Sequence, residues 1–237
     1  NALISAGILQ GENLEAQLGN TSGRDGSLTI GFNKDLVPFH LNIGINADLS
    51  QLPPVLGRVV KNKDFLKELG LVYDVKGTAT GVLMLGDDLS SLNAEVEASN
   101  IHLTARYKRI PYPVEIDGGR FSYSGTRLEF DKFKANIGKS SFLDSSMAAD
   151  WTGTPDLDVK SRAAKINLNE LHSWLQSYDI FNNNLYNIRE VKGQAAVNGL
   201  EIKGPFFSPR DWRFQAQGDF NNLNLISDNL PKYFEIV

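Results

Sequence analysis

No cysteine occurs among the 237 residues. That excludes both a thiolate metal site and a disulfide framework. The three histidines, His40, His102 and His172, are far apart and fall in different expected elements, so no zinc-ligand spacing forms. His40 and His102 fall on polar strand faces and His172 beside a helix stripe, and all three read as surface residues. Long apolar runs are missing as well: no stretch approaches the 18 or so residues of a membrane helix, and no signal peptide is visible. Excess positive charge is also absent. A net charge of -4 and an isoelectric point near 5.4 argue against nucleic acid as a partner. The compact basic cluster Arg106, Lys108 and Arg109 reads as a solvated hairpin end, with weak contact to anionic headgroups as the functional alternative.

Catalytic signatures are equally sparse. Gly138-Lys139-Ser140 resembles the tail of a phosphate-binding loop, but the glycine required five residues earlier is Phe133, so a strand-end turn is the better reading. Asp87-Asp88 and Asp144 are carboxylates in positions that turns favour anyway. There is no Gly-x-Ser-x-Gly elbow and no dinucleotide fingerprint. Trp151, Trp174 and Trp212 form no recurring ladder, and burial suits their parity better than a sugar platform. These observations lead us to expect no enzyme, no cofactor and no metal.

What the chain does have is alternation. Val37, Phe39, Leu41, Ile43, Ile45, Ala47 and Leu49 alternate with Pro38, His40, Asn42, Gly44, Asn46 and Asp48. Such a period of two describes a long strand, about 40 Å, with one apolar and one polar face. Leu157, Val159, Ser161, Ala163, Ile166 and Leu168 form a similar run, with a parity slip after Ala163 that implies a bulge. Shorter alternating runs fill most of the remainder, giving six or seven strands per half in antiparallel meanders. Helical spacing appears twice: over about 50–70, with Pro53 and Pro54 in a first turn and Gly70 as a stop, and over about 168–180, capped by Asn167 or Asn169.

The alternation also repeats. Phe133-Lys-Ala135-Asn-Ile137-Gly138-Lys-Ser140 echoes Leu14-Glu-Ala16-Gln-Leu18-Gly19-Asn-Thr21, about 119 positions earlier. Leu171, Trp174, Leu175 and Tyr178 match Leu52, Val55, Leu56 and Val59, and Val191-Lys-Gly193 matches Val75-Lys-Gly77. This predicts a tandem duplication, residues 1–118 and 119–237. The join at Asp117-Gly118-Gly119 reads as a hairpin turn. The expected fold is mainly β: two tandem repeats forming a long curled antiparallel sheet with one short helix per repeat. Two independent domains are the alternative. The chain starts and stops inside patterned sequence, which reads as a piece of a longer protein.

The order Gly118-Gly119-x-Phe121, Leu128-x-Phe130, Phe133-x-Ala135-x-Ile137-Gly138, Pro155-x-Leu157-x-Val159, Ile166-x-Leu168, Val191-Lys-Gly193 and Asn222-x-Asn-Leu225 resembles the C-terminal part of AsmA-like proteins. These are relatives of TamB and of the bridge-like chorein lipid transporters. The resemblance implies a taco-shaped β-groove in the bacterial periplasm, anchored in the inner membrane through a segment outside this chain. It further implies a role in carrying phospholipid toward the outer membrane or maintaining that membrane, with no catalytic residues. The expected groove-lining residues are Val37, Phe39, Leu41, Ile43, Ile45, Phe133, Ile137, Leu157, Val159, Phe214 and Leu223. Closed-core burial is the alternative for each. The competing function is a cell-envelope assembly protein that binds a polypeptide partner by strand addition.

Overall fold

The structure, a computed structural model, describes residues 2–5, 7–32, 37–59, 63–88, 91–176, 188–206, 208, 211–227 and 235–236. Its strands are β1 (Ala2–Ser5), β2 (Ile8–Leu18), β3 (Thr21–Gly31), β4 (Phe39–Asp48), β5 (Val72–Asp88), β6 (Ser91–Tyr107) and β7 (Ile110–Ser124). They continue as β8 (Arg127–Ile137), β9 (Ser140–Asp150), β10 (Asp156–Asn167), β11 (Ile188–Pro205), β12 (Arg213–Ser227) and the two-residue β13 (Glu235–Ile236). All thirteen pair in sequence order in one antiparallel sheet that does not close on itself. Neighbours in sequence are neighbours in space, the simplest topology short connections allow.

Among the described residues, helices interrupt the meander twice. A 3₁₀ turn (Leu49–Gln51), α1 (Leu52–Val59) and α2 (Lys63–Leu69) join β4 to β5, and α3 (Leu168–Gln176) follows β10. The single helical insert expected over 50–70 is thus two helices. Gly57 and the β-branched Val59 weaken helix propensity toward the end of α1. Pro53 and Pro54 do occupy its first turn, and Gly70 N–H closes α2 on the Leu66 carbonyl at 3.0 Å. Asn167, not Asn169, caps α3: its Oδ1 accepts from Glu170 N–H at 3.0 Å. The remainder of the expected second helix, 177–180 with Tyr178, lies outside the described residues. No helix among the described residues is long and apolar enough to cross a membrane.

Two further expectations are corrected. The long alternating strand is shorter than its pattern: β4 holds ten residues, because Leu49 turns into the 3₁₀ helix. Asp117-Gly118-Gly119 is not a hairpin turn but the interior of β7. Both glycines are left-handed there, at φ 72° and 83°, and a Cβ on Gly119 would come within 2.8 Å of the Asp131 carbonyl oxygen and of Phe130 and Phe133. Only glycine fits such a backbone at such a contact.

Gly119 belongs to a series. Asn13, Asp25, Asn100, Lys132, Asp144 and Asn222 are left-handed inside strands, all with φ between 50° and 54°. Each is an extra residue in the alternation, so the buried face steps by three, as from Phe130 to Phe133 about Lys132; left-handed Gly199 makes the same step from Val197 to Leu200. In β10 the buried face also steps by three, from Ser161 to Ala164 rather than from Ala163 to Ile166, but with no left-handed residue and no shift of register, so the expected bulge does not form there. Such bulges bend a strand and raise its twist. On β6, β7, β8 and β9 they occur in four successive strands, so the bends reinforce one another.

The bulges and caps also recur in the second half. Asn13, Gly19 and Asp25 reappear as left-handed Lys132, Gly138 and Asp144, and Asn100 as Asn222. Asp48 N–H donates to the Thr21 hydroxyl at 3.0 Å, and Asn167 N–H to the Ser140 hydroxyl at 3.0 Å. Leu49 and Leu168, which follow those two residues, are both buried.

Burial is thin for a chain of this size. A compact monomer of 26.2 kDa exposes about 10,600 Å² by the usual scaling with mass, whereas this chain exposes 15436 Å². No large side chain among the described residues is completely buried. Most of the buried hydrophobic residues form two clusters, one around Leu49, Ile101, Phe130 and Phe133, the other around Leu168, Ala195, Val197 and Leu200. Phe142 packs against both and links them.

The bulge geometry makes a prediction. Gly119→Ala should cost about 1 to 3 kcal/mol, seen as a lower denaturant midpoint. Gly118→Asn, at a left-handed position with open space around it, should cost distinctly less. Equal costs would mean that the close approach at Gly119 does not matter.

Candidate functional site

The ladder registers place the apolar residues in rows that cross the strands. One row runs Ala16, Gly23, Ile45, Gly81, Ala98, Phe121, Phe130, Met147, Val159, Ile202 and Phe214, from β2 to β12 without a polar member. A second runs Ile43, Leu83, Val96, Tyr123, Leu128, Ala149, Leu157 and Gly204. A third contains Leu103, Ile116, Ala135, Phe142, Ala164 and Val197. The opposite face is polar, as in Thr104, Glu115, Asn136, Ser141 and Lys165. Side chains directly opposite across strands touch, so each row is a continuous apolar strip.

One row is broken. Phe133 and Leu200 flank Ser145 and Ser161, which are 2 % and 3 % exposed. The hydroxyls satisfy each other: Ser145 Oγ donates to Ser161 Oγ at 3.1 Å, and Ser161 Oγ reaches the Leu143 and Ala163 carbonyls. A buried hydroxyl pair without those partners would be costly.

The expected groove residues divide into three groups. Phe39, Leu41, Ile45, Ile137, Leu157, Val159 and Leu223 are half-buried on the apolar face, and Val37 is half-buried just before β4. Phe214 is 57 % exposed. Ile43 and Phe133 are packing residues instead, 5 % and 8 % exposed. Ile43 lies over the glycines of β3, where a Cβ on Gly23 would sit 2.6 Å from its Cδ1. Phe133 stacks on Phe130 with ring centroids 4.4 Å apart. Sequence reading missed Phe121, Met147 and Ile202, which share the central row with Ile45 and Val159. Phe121 and Met147 lay in visible alternating runs and Ile202 did not, and the cross-strand register that aligns the three was not visible in the sequence.

Aromatic contacts cross this face. Phe65 of α2 meets Trp151 edge-on at 5.8 Å, and Trp151 meets Phe206 at 6.0 Å. α2 leaves the sheet at the end where β4 passes to β5, whereas Trp151 lies at the opposite end, after β9. The 11 residues of β9 are about 36 Å long. The two ends meet only if the sheet coils and α2 reaches back across it. Trp151 continues the parity of Met147 and Ala149, which puts the contact on the apolar side.

α2 is held at its other contact by Glu68. Tyr107 donates to Glu68 Oε2 at 2.5 Å, and Arg109 forks onto both carboxylate oxygens at 3.1 and 2.5 Å. Trp174 of α3 donates its indole N–H to the Arg109 carbonyl at 2.7 Å. Burial alone would raise the Glu68 pKa, but the hydrogen bonds from Arg109 and Tyr107 and the Arg109 charge outweigh it and hold the carboxyl below its ordinary value. Burial and the Glu68 carboxylate push Tyr107 well above its ordinary range. The basic cluster is thereby partly neutralised: Arg109 faces Glu68, and Arg106 lies 3.8 Å from Asp74.

Of the remaining candidates, two differ from the sequence reading: Asp144 lies inside β9 rather than in a turn, and His172 is buried. Gly138-Lys139-Ser140 is the β8–β9 turn, and the Lys139 N–H is taken by the Glu170 carboxylate at 2.8 Å, the opposite of a phosphate site. His102 pairs with Asp117 at the surface. His172 was expected at the surface but is buried, with Nε2 3.2 Å from the Ile188 carbonyl, because α3 lays this side of the helix on β11. A cleft of about 640 Å³ near the ends of β8–β11 mixes Arg127, Asp150, Asp156, Asp158, Lys203 and Arg213. Among the described residues no group of three or more acidic, histidine or cysteine side chains could hold a metal.

Comparison with protein-family models, with curated proteins and with solved structures finds no match.

The α2 anchor should be pH-sensitive. A carboxylate whose folded pKa is depressed contributes stability that is complete above its ordinary value of 4.5 and is lost as pH falls through the lower folded value. Trp151 and Trp174 fluorescence should therefore report loosening of α2 and α3 below about pH 4.5. Glu68→Gln should remove that component of the acid transition. A Glu68→Gln protein with an unchanged acid profile would show that the anchor has no such role.

Proposed function

We propose that this chain is a non-enzymatic lipid-binding segment, whose apolar face forms a groove that shields phospholipid acyl chains while the headgroups stay in water. One observation carries the reading: an eleven-strand row without a polar member, in a single-layer sheet that leaves most of that row half-buried. A soluble monomer rarely leaves so continuous an apolar surface unpartnered.

The energetics support it. An acyl chain leaving a bilayer loses about 0.8 kcal/mol per methylene, so sixteen carbons cost on the order of 12 kcal/mol. An apolar trough removes most of that penalty. Thirteen strands at about 4.8 Å spacing make a trough roughly 60 Å long. The coil required by the Phe65–Trp151 contact, together with the bulges, gives the sheet the curvature of a groove. The recurrence of bulges and caps in the two halves supports two tandem repeats, 1–118 and 119–237, joined within β7. The resemblance to AsmA-like proteins extends the proposal to phospholipid transfer in the bacterial periplasm, from an inner-membrane anchor outside this chain.

A second reading, a cell-envelope assembly protein that binds a polypeptide, is favoured by the sheet edges. Leu3 and Ile4 on one side and Phe214 and Phe220 on the other are more than half exposed.

Substitution separates groove from packing. Val159→Asp and Ile202→Asp, half-buried in the central row, should keep native circular dichroism and weaken binding of a fluorescent fatty acid at least about tenfold, or 1.4 kcal/mol. Ile43→Asp should instead unfold or destabilise the protein by about 3 kcal/mol or more, as a carboxylate forced into packing does. Native mass spectrometry should find phospholipid on the purified protein and not on the folded row variants. Lipid-free protein with no fatty-acid binding would overturn the lipid reading.

A further inference from the structure

The helices are packed unequally on the sheet. α3 is part of the core: Leu168 and His172 are buried, and Leu171 packs against the second cluster. α2 is not. Its residues Phe65, Leu66, Glu68 and Leu69 are only half-buried, and none belongs to either cluster or packs against one. α1 before it leaves Leu52 and Val55 exposed. A helix without core contacts opens at low free energy.

α2 is held at two places. At its C-terminal end Glu68 takes the Tyr107 hydroxyl and the Arg109 guanidinium, and the Leu71 carbonyl takes Lys108 N–H at 3.0 Å. One helical turn earlier Phe65 meets Trp151, which in turn meets Phe206. The first anchor is the β6–β7 turn and the second is the end of β9. The strands between them, β7 to β9, give Phe121, Phe130 and Met147 to the central row. An acyl chain lying along that row passes beneath α2.

The second contact carries a defect. Trp151 lies on the apolar side, and its indole Nε1 is buried without a hydrogen-bond partner. The other two indoles are satisfied: Trp174 donates to the Arg109 carbonyl at 2.7 Å, and Trp212 to the Pro205 carbonyl at 2.8 Å. A buried donor left unpaired is costly, because it has given up its bond to water.

We propose that α2 is a strap over the groove, hinged at Gly70 and Leu71 and latched by Phe65 on Trp151, that releases to admit an acyl chain and closes over it. The proposal rests on the lipid reading of the apolar face. Lifting Phe65 from Trp151 lets water reach the indole N–H, so release relieves a penalty that the latched position carries. That brings the two positions closer in free energy. A chain lifted sideways from a bilayer needs α2 out of its path, both to enter and to leave. The strap therefore sets the rates of exchange more than the affinity.

Two variants move the latch in opposite directions. Phe65→Ala removes the aromatic pair and should release α2. Trp151→Phe keeps a ring there and removes the unpaired donor, so it should hold α2 more firmly. Without lipid, hydrogen exchange read by mass spectrometry should show α2 amides exchanging about three- to tenfold faster in Phe65→Ala, the effect of one lost aromatic pair. They should exchange more slowly in Trp151→Phe, with β6 to β9 unchanged in both. With a fluorescent fatty acid in stopped flow, on-rate and off-rate should rise together in Phe65→Ala and fall together in Trp151→Phe, Kd moving less than either. A side chain that only touches the ligand would raise the off-rate alone. If Phe65→Ala does not fold, Glu68→Gln, which loosens the anchored end, should speed α2 exchange and both rates in its place. Fatty-acid binding with α2 exchange unchanged in every variant, or a change in off-rate alone, would overturn the strap. Exchange that follows the prediction in a protein that binds no fatty acid would remove the lipid reading and the gating role with it, so the two failures are distinct.

Discussion

The structure depends on cross-strand register. Each strand is paired so that its apolar positions meet those of its neighbours, over as many as eleven strands in succession. A slip of one residue at any pair would carry every side chain beyond it to the other face. In a sandwich, a second sheet would help to fix that register. Here no second sheet among the described residues does so, and the constraint is met within the sheet by its own matched faces, by short connections and by bulges that keep in step on neighbouring strands.

The bulges reconcile two demands that conflict in a flat sheet. Long strands of period two give a broad apolar face, and a flat face of that breadth is an aggregation hazard. A left-handed residue in the middle of a strand, an Asn, Asp or Gly or, in β8, Lys132, bends it while leaving the face apolar on both sides of the bend. The face residues then step by three, as from Phe130 to Phe133, and the curvature accumulates over successive strands. α2 and α3 complete the arrangement at one end: Glu68 ties α2 to the β6–β7 turn, and Trp174 ties α3 to the same turn. Phe65 and Trp151 bring the far end of the sheet to α2.

Much of the strand pattern was legible in the sequence, because period two is a direct consequence of strand geometry. The half-buried state of Ile45, Leu157 and Val159 follows from it. Three things were not legible, each for a physical reason. The deep burial of Ile43 depends on the two glycines beneath it in β3, a neighbour relation set by register. Gly118-Gly119 looked like a turn because paired glycines favour turns, yet the same left-handed freedom serves a bulge inside β7. The polar pairs that break the alternation, Glu12-Asn13, Arg24-Asp25 and Ser99-Asn100, were the available signal for the other bulges. They are ordinary dipeptides until the three-residue step on the buried face gives them meaning. His172 was misplaced because a helix stripe alone does not say how wide a face α3 lays against β11.

The most direct test of the account is to map where an acyl chain sits. A fatty acid with a photoreactive diazirine near the chain end, irradiated with the protein and followed by peptide mass spectrometry, reports the residues it touches. The account predicts adducts along the central row, at Ile45, Met147, Val159, Ile202 and Phe214, with none at Thr104, Glu115 or Lys165 on the opposite face. Adducts spread over both faces, or confined to the charged cleft near Arg127 and Asp150, would contradict it.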